Sequence, residues 1–278
     1  MAEIGSVGFT VQVADDGRHV DDAKELEELG YSTIWLPGGQ IDRPERVLDL
    51  LGATRSAAVG TAVLSAAVFG PDRVVALHRA VQREAPGRSV VLGLGGPQQR
   101  RSLAAVASYF DHLDAANPPV PPEDRMLAAL GPRKLAVAAR RSAGPILLLV
   151  TPDYLRTTRV AVGASTVVVG LFVVLDSDPA RARAAARAPL GFLTGLPGYR
   201  DHLARLGYLD AQVRDVADVL VDDLVAWGSP EAVAERVDRL LQAGADHVFV
   251  QMVSDGEQPA GLDAARRLAS HLTPLHKT

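Results

Sequence analysis

The chain has 278 residues, a formal net charge of −4 and no cysteine, and 47% of its residues are hydrophobic. This balance is that of an ordinary globular protein with enough apolar material for a large core. The negative charge disfavours nucleic-acid binding, which needs a positive field, and the missing cysteines exclude disulfides and cysteine-ligated metal sites.

Length and segment composition indicate one domain over residues 1–278. No Ser/Gly-rich or charge-rich linker divides the chain, and an α/β barrel takes roughly 250 residues. The N-terminus lacks the basic and apolar runs of a signal peptide, and no apolar run reaches the ~20 residues of a membrane helix. We therefore expect a cytoplasmic protein without membrane or nucleic-acid partners.

Three segments repeat the order helix, glycine, apolar strand. They are Asp21–Leu36, Asp72–Gly95 and Val225–Val253. In the last segment, Ser229 and Pro230 suit the start of a helix, and Gly244 suits its end. The strand that follows is almost continuously hydrophobic, as buried parallel strands are. The repetition predicts βα units around a parallel sheet.

The whole chain follows the same pattern, with eight predicted strands separated by helices. The strands are Val7–Val13, Thr33–Pro37, Ala58–Val68, Ser89–Gly95, Met126–Leu130, Ile146–Val150, Thr166–Leu175 and His247–Val253. After the seventh strand we predict a long helix from Asp178 and two more, Gly198–Leu206 and Ala211–Trp227. Eight strands favour a closed (β/α)8 TIM barrel over an open doubly wound sheet.

The active site of such a barrel lies at the carboxyl ends of its strands. No histidine falls there: His247 opens the eighth strand, at the opposite face, which favours a structural role. Histidines and carboxylates at metal-ligand spacing are absent too, so we expect no metal. The strand ends hold instead Gln12, Gly38–Gly39–Gln40–Asp42, Ser65, Gly95–Gly96–Pro97–Gln98, Thr151, Asp176 and Ser254.

A mouth with so few reactive side chains suits an enzyme whose cofactor carries the chemistry. In the loop Leu92–Arg101, glycines allow a close ligand approach, and the following helix start with Arg100 and Arg101 attracts phosphate. A tight turn with a solvated arginine pair explains the loop equally well. Small residues in the third strand leave room either for a flat ring or for a closely packed helix, and Trp35 suits either a pocket wall or the core.

Seven segments, in order along most of the chain, resemble the luciferase-like monooxygenase superfamily. The resemblance is closest to its actinobacterial branch that uses the deazaflavin coenzyme F420. The segments are LEELGYSTIWLP (Leu26–Pro37), RPERVLDLLGATRSAAVGTAVLS (Arg43–Ser65), PGRSVVLGLG (Pro86–Gly95), MLAALGPRKLAVAA (Met126–Ala139), LVTPDYLRTTR (Leu149–Arg159), LPGYRDHLARLGY (Leu196–Tyr208) and LVDDLVAWGSPEAVAERVDRLLQAGADHVFVQ (Leu220–Gln251).

The resemblance implies a barrel with a flavin or deazaflavin across its mouth, and a strand-3 bulge with a non-prolyl cis peptide near Val63–Ala66. By position, Ser65 would lie behind the ring, and Gly95, Gly96 and Gln98 would hold the phosphate side. Arg100 or Arg101 would meet the anionic tail. The remaining contacts that the resemblance and the strand ends suggest are Thr151 for the cofactor and Gln12 and Gln40 for substrate or ring.

The chain departs from the family pattern at the mouth. Related chains commonly carry a glutamate or histidine after the second strand, where this chain has Gly38–Gly39. Before the sixth strand they tend to read Asp-Gly-Ala-His-Pro, where this chain has Ser142–Pro145. The usual proton donor is therefore missing, and we assign no catalytic residue.

Three hypotheses follow from the resemblance. The first is an oxidoreductase that moves a hydride between F420 and a small organic substrate. The second is an FMN-dependent monooxygenase of the same superfamily. The third, suggested by the depleted mouth, is a barrel without cofactor that acts as a binding or partner subunit. Because relatives are often dimers, a homodimer through the Leu196–Trp227 helices is a further expectation.

Overall fold

The computed structural model describes residues 4–38, 41, 43, 45–96 and 102–273. Within these residues the strands alternate with helices along the chain. The strands are β1 (Val7–Thr10), β2 (Thr33–Pro37), β3 (Ala58–Ala62), β4 (Leu64–Ser65), β5 (Val90–Gly95), β6 (Arg125–Ala128), β7 (Pro145–Leu148), β8 (Val168–Val174), β9 (Val225–Trp227) and β10 (His247–Met252).

The strands form a closed parallel barrel, which confirms the predicted TIM-barrel fold. Eight of them pair in the order β10, β1, β2, β3, β5, β6, β7 and β8. The barrel closes between β8 and β10, from the pair Val168 and His247 to the pair Val173 and Met252. The short strand β9 extends beside the end of β8, and β4 pairs with β5.

Helices surround the barrel. Within the described residues they are α1 (Arg18–Glu28), α2 (Arg46–Ala53), α3 (Pro71–Glu84), α4 (Ser102–Ala115), α5 (Pro132–Arg141), α6 (Pro152–Val162), α7 (Pro179–Thr194), α8 (Pro197–Arg205), α9 (Asp210–Arg214), α10 (Asp218–Leu224), α11 (Pro230–Gln242) and α12 (Gly261–Leu272). None of these helices is long and apolar enough to cross a membrane.

Alternation along each strand divides the core into an outer and an inner layer. Ile34 and Leu36 of β2 pack outward against the helices, whereas Trp35 between them points into the barrel. Successive side chains of a strand point to opposite faces, so each strand serves both layers. A third apolar cluster lies beneath α7–α10, the segment between β8 and β9.

The bottom of the barrel interior is filled by Trp35 and His247. Trp35 is fully buried, and its Nε1 donates to His247 Nε2 over 2.9 Å. Since Nε2 accepts, the imidazole carries its proton on Nδ1, which donates to the Gly5 carbonyl over 2.9 Å. Trp35 is thus a core residue, and His247 has the structural position that the strand rule predicts.

The third predicted strand, Ala58–Val68, is shorter than expected and divided. β3 and β4 are separated at Val63, and the Ala62–Val63 peptide bond is cis. The resemblance placed this bond one residue later, within Val63–Ala66. Residues beyond Ser65 turn away from the sheet, because the Ser65 carbonyl accepts from the amides of Val68 and Phe69.

The prediction of one helix over Ala211–Trp227 is wrong. The segment contains α9, α10 and β9 instead. Val216 lies between the two helices with φ of 45°, a left-handed conformation that a β-branched residue rarely adopts and that breaks a helix. The periodicity of the apolar residues did not show this break.

The boundaries predicted for α11 are confirmed. Ser229 precedes the helix and its side chain accepts from the Ala232 amide, while Pro230 occupies the first turn. After the helix, Gly244 has φ of 114°, in the left-handed half of the map that only glycine adopts without strain.

Candidate functional site

A cavity of about 450 Å³ opens at the carboxyl end of the barrel. Ile146 and Phe249, which belong to the inner barrel cluster, form its apolar floor. Residues nearer the carboxyl ends of the strands line its walls, and most of them are small or apolar: Ala62, Val63, Ala128, Leu148 and Gln251. The volume lies in the range of small-molecule and cofactor sites, about 300–1,000 Å³.

The rim of the cavity is built by the start of α5 and by α8. Gly131 and the first residues of α5, Pro132–Lys134, form one part, and α8 contributes Gly198, Tyr199, Asp201 and Arg205. α8 belongs to the segment between β8 and β9, so the cavity is formed by parts of the chain that are distant in sequence.

A buried histidine fixes α8 over the strand ends. His202 is inaccessible to solvent, and its Nε2 donates to the Leu149 carbonyl over 2.9 Å. The edge of the ring meets Tyr154, with ring centres 4.7 Å apart, and the Tyr154 hydroxyl donates to the Leu130 carbonyl. Burial lowers the pKa of His202 to about 4, assisted by the charge of Arg205 and opposed by the hydrogen bond to Leu149. The imidazole is therefore neutral at neutral pH.

The rim carries an excess of positive charge. Arg133, Lys134 and Arg205 line the cavity together with one carboxylate, Asp201. None of the three cations forms an ion pair with a described residue, and loss of hydration lowers the pKa of Lys134. Gly131 precedes α5 without a side-chain cap, so free amides at the helix start add to the positive potential.

Glycines at the end of β5 bring backbone close to this rim. A methyl group on Gly95 would lie 2.7 Å from Val63 Cγ2, and one on Gly96 would lie 2.6 Å from Val106 Cγ2. This methyl group on Gly96 would also lie 3.9 Å from Lys134 Nζ. Neither glycine lines the cavity itself, but their neighbours Val63 and Lys134 do, so the two predicted glycines lie beside it.

The other predicted contacts that the structure describes lie away from the cavity lining. Ser65 accepts from the Ala67 amide over 3.3 Å, and Thr151 caps α6 by accepting from the Tyr154 amide over 3.3 Å. Gln12 is exposed beyond β1, with Oε1 near Gly261. Predictions that fall outside the described residues are those for Gln40, Gln98, Arg100 and Arg101.

Sequence reasoning missed most of the residues that line the cavity. Gln251 lies near the carboxyl end of the eighth predicted strand, and Gly131–Lys134 follows the fifth, so the strand-end rule could have selected them. Tyr199 and Arg205 gave no such signal because they lie on a helix, where the rule predicts nothing. Among the described residues, no group of His, Asp and Glu could hold a metal ion.

These features define a class of protein: a TIM barrel with a pocket at the carboxyl mouth, a poorly reactive floor and a cationic rim. The sequence model of the luciferase-like monooxygenase family matches residues 98–247, more than half of the chain. The chain belongs to this family, whose members are oxidoreductases and monooxygenases. No curated protein shows significant sequence similarity to it.

Solved structures of the same fold cover nearly the whole chain. An F420-dependent secondary alcohol dehydrogenase in complex with an F420–acetone adduct has a TM-score of 0.75 at 14% identity, covering 99% of both chains. The F420-dependent tetrahydromethanopterin reductase from Methanopyrus kandleri has a TM-score of 0.68 at 13% identity, covering 99% of this chain and 100% of its own. The oxygenating constituent of 3,6-diketocamphane monooxygenase from Pseudomonas putida, in complex with FMN, has a TM-score of 0.63 at 14% identity, covering 98% of both.

Proposed function

We propose that the protein is an oxidoreductase that transfers a hydride between the deazaflavin coenzyme F420 and a small organic substrate. The observation that carries the proposal is the cavity itself, whose floor has no acid, base or nucleophile and whose rim is cationic. Such a site suits an enzyme that binds and orients a redox group, which then carries the chemistry. Two proteins of the same fold are named for their dependence on F420.

The residues present fit the parts of this cofactor. The apolar floor and the small wall residues Ala62, Val63 and Ala128 leave space for a flat ring. Gly95 and Gly96 let backbone approach it beside Lys134. The phosphate and the anionic tail match the cations of the rim and the free amides at the start of α5.

When bound, the deazaflavin would supply or accept the hydride. The chain's own residues would exclude water through Ile146, Leu148 and Phe249, and would hold the anionic part through Arg133 and Lys134. The sequence-based contacts Ser65, Gly95, Gly96, Gln98, Arg100, Thr151, Gln12 and Gln40 stay predictions.

FMN is the second candidate cofactor, because one structure of the same fold contains it. FMN also combines a flat ring with a phosphate, so the same cavity and cations would accept it. An FMN-dependent monooxygenase would consume oxygen, whereas a deazaflavin enzyme would not. A barrel without cofactor that acts as a binding or partner subunit would bind neither.

A side-by-side titration with F420 and FMN tests the proposal. We expect F420 fluorescence to be quenched with a Kd in the tens of micromolar or below, and FMN to bind more weakly. Lys134→Gln should weaken F420 binding by about tenfold, because it removes one charge from the rim. Lys24→Gln is the matched control, since Lys24 is exposed on α1 at the outside of the barrel.

Other results of the titration would support one of the alternative functions or contradict the proposed anion site. Tight FMN binding with oxygen consumption and no F420 binding would replace the first proposal with the second. If the protein binds neither F420 nor FMN and co-purifies with a homologous active subunit, the partner-subunit role is supported. Equal F420 affinity of the Lys134→Gln and Lys24→Gln variants would show that the anion does not lie at this rim.

A further inference from the structure

One tyrosine at the cavity differs from all others in the chain. The chain has five tyrosines, and all five lie in described residues. Four hydroxyls donate within the protein: Tyr31 to the Ala265 carbonyl over 2.9 Å, Tyr109 to the Phe69 carbonyl over 2.7 Å, Tyr154 to the Leu130 carbonyl, and Tyr208 to Asp223 Oδ2 over 2.7 Å. Tyr199 lines the cavity and makes no hydrogen bond to any residue that the structure describes.

This difference points to a ligand as the missing partner of Tyr199. Tyrosine hydroxyls that leave bulk water usually find a hydrogen-bond acceptor. The Tyr199 ring is partly buried and packs against the apolar cluster beneath α7–α10. His202, one turn further along α8, ties this helix to Leu149, so the backbone that carries the ring is held over the strand ends.

The other proton-bearing groups of the cavity are less suited to serve a substrate. Arg133 and Arg205 do not give up a proton in proteins. Lys134 lies beside Gly96, where the anionic part of the cofactor is proposed to bind, and Asp201 is exposed. Loss of hydration raises the pKa of Tyr199 to about 12, so its hydroxyl keeps its proton at neutral pH.

We propose that Tyr199 donates a hydrogen bond and then a proton to the oxygen of a carbonyl substrate, which is reduced to an alcohol at this site. The inference rests on the proposed function. A neutral hydroxyl on the rim of a cavity with an apolar floor can recognise a single oxygen acceptor, as a carbonyl presents. It would replace the glutamate or histidine that related chains commonly carry after the second strand, where this chain has Gly38–Gly39.

The carbonyl group would receive a hydride and a proton from two different donors. The carbonyl carbon accepts a hydride, and therefore two electrons, from the reduced deazaflavin, which is oxidised. The π bond of the carbonyl breaks and a C–H bond forms. The oxygen takes the proton of the Tyr199 hydroxyl, and the tyrosinate recovers a proton from water. Oxidation of the alcohol follows the same steps in reverse.

The experiment compares the full-length wild type with Tyr199→Phe and with Tyr109→Phe. The control removes a hydroxyl whose partner is Phe69, outside the cavity lining. We expect all three proteins to bind F420 with Kd values within about threefold. With reduced F420 and a panel of short aldehydes and ketones, Tyr199→Phe should lower kcat/KM by about 100-fold or more, the usual contribution of a general acid.

A second readout does not depend on turnover. In protein labelled with ¹³C at tyrosine Cζ, the resonance that disappears in Tyr199→Phe identifies Tyr199. Addition of the alcohol product to the F420 complex should shift this resonance and leave that of Tyr109 in place. A shift of this kind is not expected from a purely structural ring.

F420 binding tests the proposed function, whereas carbonyl reduction and the Tyr199 resonance test the role of Tyr199. If the wild type does not bind F420, the proposed function is wrong. If F420 binds but no carbonyl compound is reduced, or Tyr199→Phe turns over like the wild type, or the Tyr199 resonance does not respond to the alcohol, the role of Tyr199 is wrong.

Discussion

Two glycines make the space that Trp35 occupies inside the barrel. A methyl group on Gly60 would lie 2.5 Å from Trp35 Cε3, and one on Gly8 would lie 2.7 Å from Trp35 Nε1. Trp35 in turn stacks on Phe249, with ring centres 4.7 Å apart, and Phe249 forms the cavity floor. The absence of two side chains therefore determines where the floor of the site lies.

Gly60→Ala should destabilise the protein by about 1–3 kcal/mol, because a buried ring cannot move aside without disturbing the closely packed interior. Urea unfolding measures the effect. Gly52→Ala is the matched control: Gly52 lies in α2, exposed, and a methyl group there meets nothing. This control should be neutral or stabilising by up to about 1 kcal/mol. Equal stabilities of the two variants would contradict the packing described here.

The helix α8 closes one side of the mouth, and a hydrogen bond from His202 ties it to Leu149, the residue after β7. His202 on α8 and Leu149 are 53 residues apart in sequence. Because Leu149 has φ of 57°, the chain turns sharply after β7. The contact therefore positions both the loop after β7 and the cavity residues Tyr199 and Arg205 of α8.

The stability of the protein should fall between pH 7 and pH 5 through His202. Its folded-state pKa, about 4, lies below the unfolded value of 6.5. The neutral form thus stabilises the fold fully above pH 6.5, and this contribution is lost as the pH falls towards 4. By pH 5 the loss is about 2 kcal/mol.

Urea unfolding at the two pH values checks this loss against His202→Gln. The glutamine amide can still donate to the Leu149 carbonyl, but it does not titrate. The pH dependence of the variant should therefore be smaller than that of the wild type by about 2 kcal/mol. An unchanged pH dependence in the variant would show that His202 does not titrate as its burial implies.

Elements whose signals are local were predictable from the sequence, and those set by distant contacts were not. The eight barrel strands and the ends of α11 follow from apolar runs and from Ser229, Pro230 and Gly244. The break at Val216 and the placement of Tyr199 depend on how α7–α10 pack together. The predicted glycines Gly95 and Gly96 lie by the cavity, because strand ends converge in any such barrel.

The two ends of the barrel have different roles in the molecule: one end stabilises the fold, and the other holds the candidate site. The closed end holds Trp35 and His247 in a fixed hydrogen-bond pattern, and the open end holds an apolar floor with cations at its rim. Parallel barrels generally place their active sites at the carboxyl ends and conserve structure at the other face. The chain belongs to the luciferase-like monooxygenase family, and its candidate site lies at the carboxyl end of the barrel.

A crystal structure of the protein grown with F420 would show whether the mouth cavity binds the cofactor. We expect the flat ring in this cavity between Val63 and Tyr199, with the phosphate near Lys134 and the start of α5. F420 bound outside this cavity, or a cavity that stays without ligand at saturating F420, would contradict this expectation.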